Sequence, residues 1–156
     1  MASSTSSALW RLYRAPYGPG LDGIGGTFAN GRWHKRGELV VYFGASASIV
    51  VLERLAHIDA DLLPGDLRLG RFEFAASVSI NNVNDLAALP DDWTRNETFT
   101  RNLGSEWLRT PSACVLAVPS ATLPEESNFV LNPRHPDAQG LVLRQERPFT
   151  FDTRLI

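Results

Sequence analysis

Cysteine is almost absent: Cys114 is the only one in 156 residues. One thiol cannot close an internal disulfide, so the fold must rest on burial and hydrogen bonding. Cys114 lies in the apolar run Ala113-Cys114-Val115-Leu116-Ala117-Val118, the setting of a buried structural thiol rather than a nucleophile. Histidine is scarce too. His34, His57 and His135 are scattered and, with one cysteine, give no metal-ligand spacing, so no metal site is expected. Lysine is rarer still, Lys35 being the only one among 15 cationic side chains. Net charge is −2 and the pI about 5.9. A nucleic-acid binder usually carries a basic excess or stripe, so direct DNA or RNA binding is not expected. No apolar run approaches the ~20 residues of a membrane span. Residues 1–7 lack both the basic and the apolar segments of a signal peptide. The chain is therefore expected in the cytoplasm, away from membranes, with a flexible tail over residues 1–8.

What is present fits one globular domain over residues 9–156. Hydrophobic residues make up 44% and charged residues 21%, both ordinary proportions. A chain of this size hides roughly 70% of its unfolded surface. Residues 9–14 read as a strand. Residues 16–31 hold six of the 12 glycines and two prolines, so they should form a long loop with unusual backbone angles. Residues 38–43 read as a strand of β-branched and aromatic side chains, ended by Gly44. Ser46 or Ser48 can then cap a helix to about His57. Its broad apolar face would hold Val51, Leu52, Leu55, Ala56 and Ile58, with Glu53 at the edge beside Ile49 and His57.

Apolar–polar alternation over residues 67–80 predicts one or two half-buried strands. A short helix is expected over 84–89. A longer one over 94–109 would turn Phe99, Leu103, Trp107 and Leu108 inward. Residues 113–118 read as a buried strand, and 129–131, 140–143 and 148–151 as three more. Strands outnumber helices without regular βαβ alternation. The expected fold is α+β, a twisted mixed or antiparallel sheet with a few helices.

Several segments could carry chemistry. Gly18-Pro19-Gly20-Leu21-Asp22-Gly23 matches G-x-G-x-x-G literally, but its prolines and the missing helix rule out a dinucleotide fingerprint. Gly31-Arg32-Trp33-His34-Lys35-Arg36-Gly37 is a solvated basic loop or an anion grip built on Arg32. Tyr42 is a cross-strand aromatic or a flat platform for a ligand ring. Glu53 is the only acid between Leu39 and Ile58, and a carboxylate so close to a core needs a partner or a cleft. Either it pairs with Arg54, Arg32 or His57, or it binds ribose hydroxyls and stabilises positive charge at an anomeric carbon. Ser120 lacks a G-x-S-x-G elbow, which argues against a hydrolase nucleophile.

Taken in order, Trp10-Arg11-Leu12, Gly31-Arg32-Trp33, Val41-Tyr42-Phe43, Val51-Leu52-Glu53, Val118-Pro119-Ser120-Ala121 and Asn128 to Asp137 resemble the RES domain family. The family's Arg, Glu and Ser map to Arg32, Glu53 and Ser120, with Ser127 a competing serine. His34 departs from the Asn expected after Gly-Arg-Trp. The resemblance implies a fold similar to ADP-ribosyltransferase toxins and a toxin role in a type II toxin–antitoxin pair. It implies NAD⁺ as substrate, not cofactor, cleaved at the nicotinamide–ribose bond. It also implies a partner, an Xre-type helix-turn-helix antitoxin that covers the active site. A toxin homodimer within that complex stays open. On this reading Arg32 grips the pyrophosphate, Tyr42 stacks on the nicotinamide end and Glu53 stabilises the developing cation. Ser120 and Asn128 contact the ribose side, and Arg11 adds a weaker anion contact. Two alternatives remain, transfer of ADP-ribose to a protein and a non-catalytic co-repressor in which Arg32 and Glu53 form a structural ion pair.

Overall fold

Strands with consecutive apolar residues can be covered on both faces of a sheet, and this chain builds one such sheet. The computed structural model of the protein describes residues 2–5, 8–57 and 63–156, residues 2–5 by backbone alone. Among the described residues eight strands run β1 (Ala2–Thr5), β2 (Leu9–Arg14), β3 (Val41–Gly44), β4 (Leu67–Phe74), β5 (Val78–Asn82), β6 (Val115–Pro119), β7 (Ser127–Leu131) and β8 (Leu141–Phe149). Their order across the sheet is β1-β5-β6-β7-β3-β2-β4-β8. Among the described strands only β5 and β6 pair in parallel. The helices are α1 (Ala47–Ala56), α2 (Val83–Leu86) and α3 (Glu97–Arg109). The α+β reading with a mixed sheet therefore holds.

Adjacent residues of one strand serve opposite faces. Val41, Phe43, Val115 and Leu131 join a core with Leu9, Tyr13, Phe72 and Phe74. Val40, Leu116, Val118 and Val130 join a second core with Trp33, Val83 and Trp107. Helix α3 covers this second side. Trp107 is buried there with Leu103 and Leu108 partly buried beside it, as its spacing predicts. Gly104 lets α3 approach closely, because a Cβ there would stand 1.9 Å from the Trp33 carbonyl oxygen.

Several elements differ from the expectation. Residues 2–5, placed in the flexible tail, form an edge strand paired with β5. The segments expected at 140–143 and 148–151 fall largely in one long strand, β8, which ends at Phe149 and whose exposed middle hides its continuity. Pro148 is tolerated because β8 lies at the sheet edge. Helix α1 is capped by Ser46, whose Oγ accepts from the Ile49 amide at 3.2 Å. Its buried residue is Ile49, so the inward face is rotated toward the side that Glu53 shares. Ile58 lies outside the described residues. Among the described residues no helix is long and apolar enough to cross a membrane.

Candidate active site

Register brings three separate segments to one end of the sheet. Asn128 opens β7 opposite Gly44 of β3 and Val118 of β6. Gly44 leads into α1 and Glu53, while β6 leads into Ser120. Beside them β2 and β3 pair only at Trp10 and Gly44. A cleft of about 350 Å³ opens there, its walls including Arg32, Tyr42, Glu53, Arg54 and Asn128.

The Glu53 carboxylate is anchored through one oxygen. Ser120 Oγ donates to Oε1, and Asn128 Nδ2 donates to the same atom at 3.0 Å. Among the described residues Glu53 makes no ion pair. His57 bonds its backbone carbonyl instead, at 2.7 Å. With Oε1 doubly engaged, Oε2 is the atom left for a ligand. Ser120 is fully buried. Its Oγ also accepts from the Thr122 and Leu123 amides, at 3.2 and 3.1 Å, which uses its one donor and both lone pairs. Ser120 Oγ is thus spent on Glu53 and the two amides, which places the serine behind the carboxylate rather than on the cleft wall. Ser127 is exposed and makes no side-chain bond to Glu53.

Tyr42 borders the cleft with its hydroxyl held from behind. The Trp33 amide donates to it at 3.1 Å, and His34 Nδ1 lies 2.7 Å away. The other His34 nitrogen, Nε2, faces two carbonyl oxygens, Gly26 at 3.1 Å and Ala29 at 2.9 Å. Nε2 must carry the proton, so Nδ1 accepts from the Tyr42 hydroxyl. Burial pushes the Tyr42 phenol above its ordinary range, against the opposing bond from Trp33. The loop comes this close because Gly31 lacks a Cβ, which would sit 2.7 Å from the Tyr42 oxygen.

Arg32 reaches the same wall. Its Nη2 pairs with Glu97 at 3.3 Å, and Glu97 is half exposed and shared with Arg101. Its Nη1 is buried with no partner. The alternative Arg32–Glu53 ion pair does not form. Arg11 fills the split between β2 and β3, donating to the Pro19 carbonyl at 2.8 Å and the Tyr42 carbonyl at 3.0 Å. Burial first, then the charge of Arg54, holds its guanidinium down to about 10. Arg54 donates to the Leu12 carbonyl at 3.1 Å.

All six residues singled out in sequence thus gather here, five on the cleft wall and Ser120 behind it. Arg54 and His34 were missed as site residues. The signals were Arg54's place beside Glu53 and the eight-residue step from His34 to Tyr42, neither decisive without tertiary contacts. Among the described residues no group of His, Cys, Asp and Glu could hold a metal.

Comparison with known proteins matches residues 8–152 to the RES domain. Toxin Res of Pseudomonas putida is 41% identical over 149 residues, spanning 94% of this chain and 98% of the relative. Prs ADP-ribosylating toxin of a Sphingobium species is 31% identical over 157 residues, 97% of this chain and 98% of the relative. Among solved structures, the M. tuberculosis MbcT-MbcA toxin–antitoxin complex contains a similar chain. It has a TM-score of 0.74 at 18% identity and covers 96% of this chain and 87% of that one.

Proposed function

The chain belongs to the RES domain family, and from that premise we propose that it is the toxin of a toxin–antitoxin pair, cleaving NAD⁺ at the nicotinamide–ribose bond in the cytoplasm. The observation that carries this reading is the Glu53 carboxylate, tied through Oε1 to Ser120 and Asn128 with Oε2 unpartnered on a cleft wall. Such a group is rigid before the ligand arrives, which preorganised electrostatic catalysis requires.

In the proposed step the bond between the ribose anomeric carbon and the nicotinamide nitrogen breaks. Its electron pair returns to the pyridinium ring, and neutral nicotinamide leaves without needing a proton. Glu53 stabilises the oxocarbenium-like carbon and binds ribose hydroxyls. Tyr42 offers its ring face to the nicotinamide, since its hydroxyl is already occupied. Arg32 supplies a cation to the diphosphate. Water or phosphate then bonds to the anomeric carbon, and water releases its proton to Glu53 or to solvent. The neutralising partner is an Xre-type antitoxin that covers the cleft.

The test is intracellular NAD⁺ after brief induction, with Glu53→Gln at equal expression as the control. A rapid fall with the wild type and none with the variant is the expected result. Growth arrest with steady NAD⁺ would replace this reading with protein ADP-ribosylation, the activity in the name of the Sphingobium relative. Steady NAD⁺ with normal growth would leave only a non-catalytic co-repressor.

A further inference from the structure

One face of α1 runs along the cleft wall. Val50, Glu53, Arg54 and His57 line it, at the spacing of neighbours on successive helical turns. His57 stands at the C-cap of the helix, and its imidazole turns back on the chain. Nδ1 lies 2.7 Å from the backbone carbonyl oxygen of Glu53, one of the carbonyls that a helix end leaves without an internal partner. A carbonyl oxygen only accepts, so Nδ1 carries the proton. Nε2 is then the nitrogen with the lone pair. Among the described residues it has no partner, and His57 is exposed.

Water that bonds to an anomeric carbon must shed a proton. The titratable side chains of the cleft wall are Arg11, Arg32, Tyr42, Glu53, Arg54 and His57. A guanidinium has no acceptor for a proton. Burial keeps the Tyr42 phenol in its protonated form, and its hydroxyl is already engaged with His34. Glu53 is a poor destination. Once protonated, it no longer carries the charge that stabilises the cationic carbon. His57 remains. Imidazole is the side chain most often used as a general base, and this one is held by a fixed partner behind it, as such a base requires.

We propose that His57 is the general base for attack by water, a role that rests on the NAD⁺ reading. A lone pair of the water oxygen forms the bond to the anomeric carbon. The carbon–nitrogen bond breaks, and its electron pair returns to nicotinamide. One water proton passes to His57 Nε2, and the electrons of that O–H bond stay on oxygen as the new hydroxyl of ADP-ribose. The imidazolium keeps its Nδ1 bond to the Glu53 carbonyl and releases the proton to solvent, to which His57 is open. Glu53 stays ionised throughout. Phosphate needs no such help, because its dianion has oxygens that carry no proton. His57 thereby separates the two acceptors: water requires the base and phosphate does not.

The experiment incubates purified wild type, His57→Ala and His57→Asn with NAD⁺, with and without inorganic phosphate. Chromatography then resolves nicotinamide, ADP-ribose and ADP-ribose phosphate. His57→Asn keeps a side-chain N–H for the Glu53 carbonyl, so it separates the base from the helix cap. Without phosphate, both variants should form ADP-ribose about a hundredfold more slowly than wild type, the scale of a lost general base. With phosphate, the ratio of ADP-ribose to ADP-ribose phosphate should fall by a similar factor. Added imidazole should restore hydrolysis by His57→Ala in proportion to its concentration. Wild-type rates of hydrolysis in both variants would overturn the proposal. An equal fall of both products would also overturn it, leaving His57 as a cap alone. Wild type that forms only ADP-ribose phosphate would overturn the role while NAD⁺ cleavage stands. Wild type that releases no nicotinamide would overturn the NAD⁺ reading and this role with it.

Discussion

The Ser120 hydroxyl donates to the oxygen of Glu53 that also receives Asn128, and the serine itself is fully buried. We propose that its role is to aim the carboxylate. Ser120→Ala should lower kcat about tenfold to a hundredfold with little change in KM, the scale of a misplaced catalytic group. Stability should fall by about 1 kcal/mol from the lost hydrogen bonds. Ser127→Ala should change neither. Steady-state kinetics with NAD⁺ checks this, and a rise in KM at constant kcat would return Ser120 to direct ligand contact.

His34 determines where the Tyr42 ring sits. With Nε2–H committed to two carbonyls, Nδ1 is the acceptor for the Tyr42 hydroxyl. An Asn oxygen can occupy the Nδ1 position, so His34→Asn should keep most of the activity. His34→Leu should lower kcat about tenfold or more, because the phenol loses its acceptor in a buried site. Equal activity in both variants would remove His34 from the site.

Arg32 and Glu97 form an ion pair whose acid is 53% exposed. Exposed pairs contribute about 0–1 kcal/mol, so Glu97→Gln should leave the melting temperature and NAD⁺ kinetics close to wild type. Arg32→Lys removes the orphaned Nη1 and the forked geometry together. Its kcat/KM should fall about tenfold without loss of thermal stability. A destabilised Arg32→Lys protein with normal kinetics would make the pair purely structural.

Alkaline pH should unfold the protein from a predictable point. Tyr13 and Tyr42 both have phenols raised above the ordinary value of about 10, chiefly by burial, and for Tyr13 also by its bond to Glu146. The unfolded chain releases these protons near that ordinary value while the folded chain keeps them. Their contribution is therefore complete below about pH 10 and is lost as pH rises toward the folded values. Arg11 acts in the opposite sense. Its depressed value, about 10 against 12.5, is a penalty that fades as pH rises, one group against two. Denaturant midpoints should fall above about pH 10, and the phenolate absorbance of these two tyrosines should appear only with unfolding. Early ionisation in the folded protein would contradict their burial.

Local pattern carried much of this far. The period-two alternation of Phe72, Phe74, Val78 and Ile80 marks residues that are buried in the sheet. Ser46 stands where a cap for α1 belongs, and it caps it. Glu53 is conspicuous because an acid amid Ile49, Val50, Val51 and Leu52 needs a reason. β8 was not legible as one strand, since an edge strand with an exposed middle carries no alternation to read. Residues 2–5 were not legible as a strand either. Their small polar side chains hold no pattern, and only a free edge of β5 gives them a partner.

The sequence by itself determined which residues could do chemistry: a lone acid beside an apolar run, an arginine in a glycine-rich loop, a strand tyrosine. Charge, burial preference and backbone freedom are properties of each residue and its near neighbours, so they can be read along the chain. Tertiary structure alone decided which of these side chains meet. It set Ser120 behind Glu53, His34 behind Tyr42, Arg32 against Glu97 and Arg11 beside Arg54. Each of those relations depends on strand order and register between segments separated by 8 to 67 residues. A hydrogen bond's direction is determined by where the two partners come to rest, and nothing in the local sequence encodes that.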